Sequence, residues 1–404
     1  MSFEWRETTL GESLDINPFY SIRKGTLAKK ISMADLEPFT RKITNYEVAE
    51  FNGGSKFKNG DTLVARITPC LENGKTAYVN ILEKDEIGFG STEFIVLRGK
   101  EGISDNKYVY YLSISPEFRN VAIKSMTGTS GRQRAQVDAI SKWQFRLPPI
   151  KEQKEISALL SSLDDKIELN NAINKNLEEM AQALFKRWFV DFEFPNENGE
   201  PYKSNGGEFE ESELGLIPKG WTVGVFENIS SCYDSKRVPL SKKERESRAK
   251  IYPYYGAASL MDYVDDYLFE GVYVLMGEDG TVVDEEGFPV LQYVWGKFWV
   301  NNHAHVLKGN SAFSEEYIYL LLKRTNVKHI VTGAVQPKIN QKNMNSIKVV
   351  IPPKDILYKF NKTISGLFGL IRENTDQNRI LINIRDTLLP KLMSGEIRVP
   401  VEQQ

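Results

Sequence analysis

Four residues near the start, Asn17-Pro18-Phe19-Tyr20, form the first pattern with a chemical precedent. Enzymes that methylate an adenine flip the base out of the duplex and stack an aromatic ring on it. Their four-residue motif is of the type Asn/Asp-Pro-Pro-aromatic. Here the third residue is Phe19, and no apolar strand leads into the motif. No glycine-rich loop follows a strand to cradle S-adenosylmethionine, and "IGFGS" from Ile87 has the wrong setting. A turn is the better reading. Gly74-Lys75-Thr76 ends like a phosphate-binding loop, but Pro69 stands where that loop needs glycine. His303 and His305 offer two imidazoles from one strand face, with no third ligand suggested nearby. The only other histidine is His329, which leaves no convincing Ser/His/Asp or Cys/His set. Asp164-Asp165 and Glu178-Glu179 read as solvated helix faces. Cys70 and Cys232 are far apart and make no CxxC, which fits a reducing compartment. These patterns predict no catalytic residue, no metal and no cofactor.

Positive and hydrogen-bonding side chains in loops remain. In the first part of the chain they are Lys56, Lys58, Arg66, Lys75, Arg119 and Lys124, followed by "GTSGRQR" with Thr129, Ser130, Arg132, Gln133 and Arg134. In the second part "SKRVPLSKKERESRAKIYPYYG" supplies Lys236, Arg237, Lys242, Lys243, Tyr254 and Tyr255. "GAVQPKINQKN" adds Gln336, Lys338, Gln341 and Lys342. Arg and Lys neutralise phosphates, and Arg and Gln also reach guanine and adenine edges with two hydrogen bonds. One such cluster is usually a solvated surface. These recur at corresponding places in two halves of the chain, which points to DNA.

The elements that hold them are duplicated. Trp5 aligns with Trp221, "STEFIVLRG" (Ser91) with "NNHAHVLKG" (Asn301), and "SDNKYVYYL" (Ser104) with "SEEYIYLLL" (Ser314). "TGTSGRQR" (Thr127) aligns with "TGAVQPKI" (Thr332), and Pro148-Pro149 with Pro352-Pro353. Each copy begins with short β-rich runs such as "DTLVARI", "KTAYVNIL", "VYVLM" and "VLQYVWGKFWV", punctuated by turn signals. One helix is predicted over "NKYVYYLSISPEFRNVAI" and one over "SEEYIYLLLKRTNVKHIV", the latter capped by Ser314.

Each copy ends in a single long helical pattern. The first seam runs Ile156, Leu160, Leu163, Ile167, Asn170, Asn174, Leu177, Ala181, Leu184, Trp188. The second runs Phe360, Ile364, Leu367, Ile371, Asn374, Asn378, Leu381, Arg385, Leu388, Leu392. Steps of four and three make this a heptad-like seam. Pro149 and Pro353 suit a helix start. The Asn pairs fall at matching seam positions, where they either set register or face water at a wide point. A helix of about 40 residues is about 60 Å long. It needs a partner, and the other copy is the obvious one. Antiparallel pairing would give a dumbbell with pseudo-twofold symmetry. "FPNENGEPYKSNGGEFEESELGLIPKGW" (Phe194 to Trp221) reads as an exposed linker.

Composition agrees with this division. The chain has 404 residues, 41% hydrophobic and 26% charged, with a net charge of −2. No global basic field advertises a nucleic-acid partner, so positive charge must be local or shared with a partner. "MSFEWRETTL" is too polar for a signal peptide. No apolar run is long enough to predict a membrane span.

The ordered set of motifs resembles the specificity subunits of type I restriction–modification systems. "GSKFKNGDTLVARITPCLENGKTAYV" (Gly54), "GTSGRQR" followed by "LPPIKEQKEI", "ESELGLIPKGW" (Glu211) and "LLPKLMSGEI" (Leu388) carry the resemblance. It implies an α+β chain: two mixed α/β target recognition domains joined by two long antiparallel helices in a coiled coil, with an internal pseudo-twofold repeat. The implied boundaries are 1–150 for the first recognition domain, 151–193 for the central conserved helical region and 194–212 for the linker. The second recognition domain would span 213–352, and the C-terminal conserved helical region 353–395. The implied role is non-catalytic and cytoplasmic. The chain would read a split site in double-stranded DNA and scaffold two modification subunits and the restriction subunits. The second copy departs from the first: "IPPKDIL" lacks the Glu-Gln of "LPPIKEQ". That difference puts equal docking of the two modification subunits in doubt. The rival readings are a self-sufficient adenine methyltransferase using Asn17–Tyr20 and a coiled-coil adaptor that does not touch DNA.

Overall fold

The computed structural model describes residues 4–333 and 335–400. Met1, Ser2 and Phe3 of the polar opening, and Ala334 of "GAVQPKI", lie outside the described residues. The chain divides into two units, Met1–Asn171 with Asp376–Gln404, and Ala172–Thr375.

The units share one topology. In the first, a four-stranded antiparallel sheet has the order Leu14–Ile16, Phe94–Gly99, Thr62–Ala65, Thr76–Tyr78. The second has Ser230–Cys232, Ala304–Gly309, Tyr273–Gly277, Leu291–Val294 in the same order. A further sheet in the first unit is ordered Glu47–Glu50, Leu27–Ile31, Gly88–Gly90, Ser55–Phe57, and its middle pair is parallel. Its counterpart is Leu260–Val264, Tyr252–Tyr255, Lys297–Val300, Phe269–Glu270, again with one parallel pair in the middle. A two-stranded ribbon completes each unit: Arg6–Thr9 with Gln144–Leu147, and Thr222–Val225 with Lys348–Ile351. Trp5 and Trp221 sit buried just before the first strand of each ribbon.

The sheets are backed by helices whose caps explain their starts. Asp105 accepts from the Tyr108 amide, and Ser314 accepts from the Tyr317 amide. The caps therefore align Asp105 with Ser314, one position away from the alignment read from sequence. The single helix expected over 106–123 is two, Asn106–Ile114 and Pro116–Lys124. Pro116 cannot donate to the first helix, and Ser115 caps the second through the Phe118 amide. In the second unit the helix stops at Leu322, and a 3-10 turn at Lys328–Ile330 follows.

Two long helices, Ile150–Phe189 and Lys354–Ser394, start directly after Pro149 and Pro353. The carbonyls of those prolines accept from the Gln153 and Leu357 amides. Each unit contains one stretch of each helix, and the stretches run antiparallel. In the first unit Asp164 pairs with Arg385 at 2.8 Å and Asn170 with Asn378 at 2.8 Å. In the second, Asn174 pairs with Asn374 at 2.9 Å, and the Phe185 and Phe360 rings are 5.9 Å apart. Ile156, Leu160, Ala181, Trp188, Phe360, Ile364 and Leu392 are buried. Leu163, Ile167, Leu177, Leu184, Leu367, Ile371, Leu381 and Leu388 are half-buried. Asn170 and Asn378 are buried, and Asn174 and Asn374 are half-buried. Their amides bond across the helix pair rather than facing open water.

The expected exposed linker is ordered. Phe209–Ser212 and Gly215–Pro218 form a hairpin. Phe194 stacks on Tyr202 at 4.6 Å and packs against Trp221 at 4.9 Å. The aromatic residues scattered in this Gly/Asn-rich stretch gain shelter on Trp221, which offsets the entropy of ordering it.

Candidate nucleic-acid interface

In the first unit, strand Thr62–Ala65 runs out into Arg66, Ile67 and Thr68. Loop 127–134 docks on that end. Thr127 and Arg134 exchange backbone hydrogen bonds of 3.1 and 2.9 Å. Arg134 also bridges Ile67, the Thr68 amide donates to the Gln133 carbonyl, and the Ala135 amide donates to Arg66. Gly128 has φ 127°, and a Cβ there would stand 3.1 Å from the Arg132 carbonyl oxygen, so the turn needs glycine.

Loop 332–338 of the second unit repeats this frame with one residue fewer. Thr332 and Lys338 exchange two hydrogen bonds of 2.8 Å, and Asp279 bridges Lys338. The Gly280 amide donates to Pro337, and the Ile339 amide donates to Glu278. Gly333 has φ 87°, and a Cβ on it would meet the Gln336 carbonyl oxygen at 2.3 Å. Arg66 thus corresponds to Glu278, Glu93 to His303 and Arg134 to Lys338.

Arg134 and Lys338 are both cations, but the first two positions differ in character. Arg134 lays its guanidinium on Glu93 through three contacts of 2.7–3.0 Å. That hydrogen bonding holds the Glu93 carboxyl below its usual range. In the second unit the acid is at the strand end. Glu278 takes Lys338 at 3.1 Å and Arg237 at 2.6 Å, while His303 bonds Asp279 at 2.6 Å. The sign of the strand-end residue is reversed between the two copies.

The predicted contact residues separate accordingly. Thr129, Ser130 and Arg132 are exposed at the tip of the first loop, and Arg132 has no ion pair among the described residues. Gln133 is half-buried beneath them. Arg134 is exposed as well, but its guanidinium is engaged by Glu93. Arg66 leaves its Nε buried without a partner beside that pair. Arg119 donates to the Glu72 carbonyl at 3.0 Å and lies 4.7 Å over the Phe39 ring, with Lys124 exposed on the same helix. Lys75 donates to the Met33 carbonyl and Lys56 to the Tyr20 carbonyl, both at 2.8 Å. Lys58 lies over the Tyr20 ring.

In the second unit Gln336, Gln341, Lys342 and Lys243 are exposed. Lys236 lies over Tyr233, and Lys242 pairs loosely with Glu246 at 3.7 Å. Lys338 is exposed but tied to Glu278. Three assignments are corrected. Arg237 is spent on Asp234, Glu278 and the Ala304 carbonyl. Tyr254 and Tyr255 occupy the inner strand that corresponds to Lys30 and Ile31, and they are 1% and 8% exposed. Their rings belong to the core, and the Tyr254 hydroxyl accepts from the Leu240 amide.

Sequence reasoning missed Glu93, Asp234 and Glu278 because it looked for cations and neutral hydrogen-bonding groups, not for the acids that hold them. The signal was present in the repeat, which sets Glu93 opposite His303. Nor do His303 and His305 converge on a metal. Each is bonded to its own carboxylate, Asp279 or Asp234. Cys232 approaches Asp234 and His305 within 4.8 Å, and burial pushes its thiol up to about 12. The Asn17 side chain accepts from the Val96 amide, and the Tyr20 hydroxyl donates to Asp61. Asn17–Tyr20 is a turn pinned to a strand, not a base pocket.

Comparison with known proteins settles what the duplicated frame is. A family model for the type I restriction modification DNA specificity domain matches residues 4–179 and again residues 218–382. The chain belongs to this family. Among its relatives is the type I restriction enzyme MjaIX specificity subunit of Methanocaldococcus jannaschii, 28% identical over 74% of this chain and 71% of the relative. The HindI specificity subunit of Haemophilus influenzae is 24% identical over 98% of this chain and 100% of the relative. The solved type I S subunit from M. genitalium has the same fold, with a TM-score of 0.56 at 17% identity over 97% of this chain and 96% of that one. No helix among the described residues is long and apolar enough to cross a membrane.

Proposed function

We propose that this type I specificity subunit reads a split site in double-stranded DNA, one half-site per unit, and holds the modification and restriction subunits on it. As a specificity subunit it is the recognition component and carries no catalytic role. The observation that carries the reading is the repeated frame. Two copies of the specificity domain each present a loop pinned by the same bridges to the same strand end, with Arg132 exposed in one loop and Val335 and Gln336 exposed in the other. A surface loop on a rigid sheet is the usual place for recognition residues. Arg132 and Gln336 are the tip residues suited to two-point contacts with guanine and adenine.

The family supplies the partners. Two modification subunits would take the exposed apolar side chains of the long helices. In the first unit these include Leu169 and Ile380, 54% and 61% exposed, and in the second Met180 and Tyr358, 57% and 70% exposed. Apolar groups at that exposure fit a partner surface. The modification subunits also bring phosphate contacts that a chain of net charge −2 lacks. The helix pair would set the spacer, and helices of about 60 Å run alongside at most about 18 base pairs of about 3.4 Å.

The deciding experiment is a methylome of the host strain with this gene intact and deleted. Loss of methylation at one bipartite motif is the expected result. An unchanged methylome would overturn the reading.

A further inference from the structure

Val335 is 98% exposed, the most open of the large apolar side chains among the described residues. It belongs to loop 332–338, whose backbone is otherwise closely held. Thr332 and Lys338 exchange their two bonds, Gly333 allows the turn, and the Pro337 carbonyl accepts from the Gly280 amide at 3.0 Å. Pro337 also fixes its own φ. A single exposed apolar side chain is ordinary on a protein surface. What singles out Val335 is its place.

The two loops align from their C-terminal feet. Lys338 matches Arg134, Pro337 matches Gln133, Gln336 matches Arg132, and Val335 matches Gly131. Hydrogen bonds support this register, because the Gln133 carbonyl accepts from the Thr68 amide at 3.0 Å just as Pro337 accepts from Gly280. Where the first loop has no side chain, the second presents a stiff, β-branched pair of methyl groups. The next residue, Gln336, is exposed and makes no side-chain hydrogen bond among the described residues.

A protein partner would take a larger apolar patch. From 264 to 357 no other large apolar side chain is exposed among the described residues. The exposed groups that share the loop and follow it are polar: Gln336, Lys338, Gln341 and Lys342. One apolar finger among amides and ammonium groups has a chemical complement in the major groove of DNA. The base edges there are polar except for one group, the C5-methyl of thymine.

We propose that Val335 is a specificity-determining residue of the second unit: its methyl groups pack on the C5-methyl of a thymine within one base pair of the adenine that Gln336 reads. The proposal rests on the assignment of loop 332–338 to a half-site and adds what that loop selects. Consecutive residues are about 3.8 Å apart and stacked base pairs about 3.4 Å, so neighbouring side chains fall on the same or adjacent pairs. The half-site therefore contains a thymine recognised by its methyl group, and uracil or cytosine in its place lacks the contact.

The test uses the chain assembled with its modification subunits and a duplex carrying the motif that methylome mapping returns. Each thymine in turn is replaced by deoxyuridine, which removes the methyl group and keeps the base pairing. Binding should fall about fourfold, the worth of one buried methyl group, at one thymine of one half-site. Val335→Ala should bind the thymine and uracil duplexes alike. Val335→Thr keeps a methyl group on the same frame and should tell them apart again. The side chain is so open that both variants should keep the wild-type urea midpoint. The other half-site should respond to deoxyuridine identically in all three proteins. The proposal is overturned if no thymine responds, or if the response survives Val335→Ala. It is also overturned if the responding thymine lies more than one base pair from the adenine whose recognition Gln336→Ala relaxes. Gln336→Ala separates the two levels of the reading. If it relaxes one half-site while deoxyuridine is silent, the loop assignment stands and the methyl contact falls. If neither Gln336→Ala nor Val335→Ala alters either half-site, the loop is no reader and both fall.

Discussion

Arg132 and Arg134 are two residues apart and look interchangeable in the sequence, yet they should behave differently. Arg132 is at the exposed tip. Its change to Ala should weaken one half-site by about 1–3 kcal/mol if it makes a bidentate base contact. Competition binding of the assembled complex to half-site variants checks this, and equal loss at both half-sites would refute it. Arg134→Ala frees Glu93 and loosens the loop, so exchange of the Thr127 amide should rise even without DNA. No inspection of "GTSGRQR" alone separates the two arginines. The partner that commits Arg134, Glu93, is about forty residues upstream and is brought near by the strand Phe94–Gly99. Tyr254 and Tyr255 went astray for a related reason. Two tyrosines after a basic run fit an aromatic–cationic surface, and only strand pairing shows them on the sheet's inner strand.

The long helices were the most legible elements, because a seam of fourfold and threefold steps has one physical solution. The meaning of their polar members was not legible. Asn170 donates to Gln377 and Asn378 at 2.8 Å while its own carbonyl oxygen is buried without a partner. Asn170→Leu should therefore destabilise the first unit by about 1–3 kcal/mol by orphaning its partners. Replacing Asn378 as well should recover most of that loss, as a double-mutant cycle in urea would measure. In the second unit Phe360 is fully buried, with Phe189 4.7 Å and Trp188 5.5 Å away. Phe360→Ala should cost about 3–5 kcal/mol, read from the denaturation midpoint. By contrast Ile380→Asp, at an exposed position, should leave stability nearly unchanged and reduce co-purification of the modification subunit. The sequence also overstated one element. It merged two helices across Ser115-Pro116, although the proline itself was the visible warning.

At the scale of the whole molecule the duplication was readable, but the polarity of its junctions was not. The Glu-Gln of "LPPIKEQ" suggested a docking feature that the second copy lacks. Both side chains are instead buried within the first unit. Glu152 receives Trp5 and Arg398, and Gln153 ties together Pro148, Ile103 and Asp105. Their counterparts Ile356 and Leu357 do the same structural work by apolar burial. The difference therefore gives no reason to expect unequal docking of partners. Two whole-molecule outcomes follow. The purified chain alone, given labelled S-adenosylmethionine and DNA, should transfer no methyl group. Inserting one heptad in both helices should lengthen the spacer of the methylated motif, and an unchanged spacer would remove the helix pair as its determinant.

The glycine-led loops at 127–134 and 332–338 are closed at their feet by the same pair of backbone bonds, although their lengths and tips differ. Such a closure insulates the framework from whatever lies beyond it. Substitutions, or even a one-residue deletion, at the tip are absorbed before they reach the strands. Under the proposed reading, a change at one tip would alter one half-site while the fold of its unit, held at the feet of the loop, stays as it is.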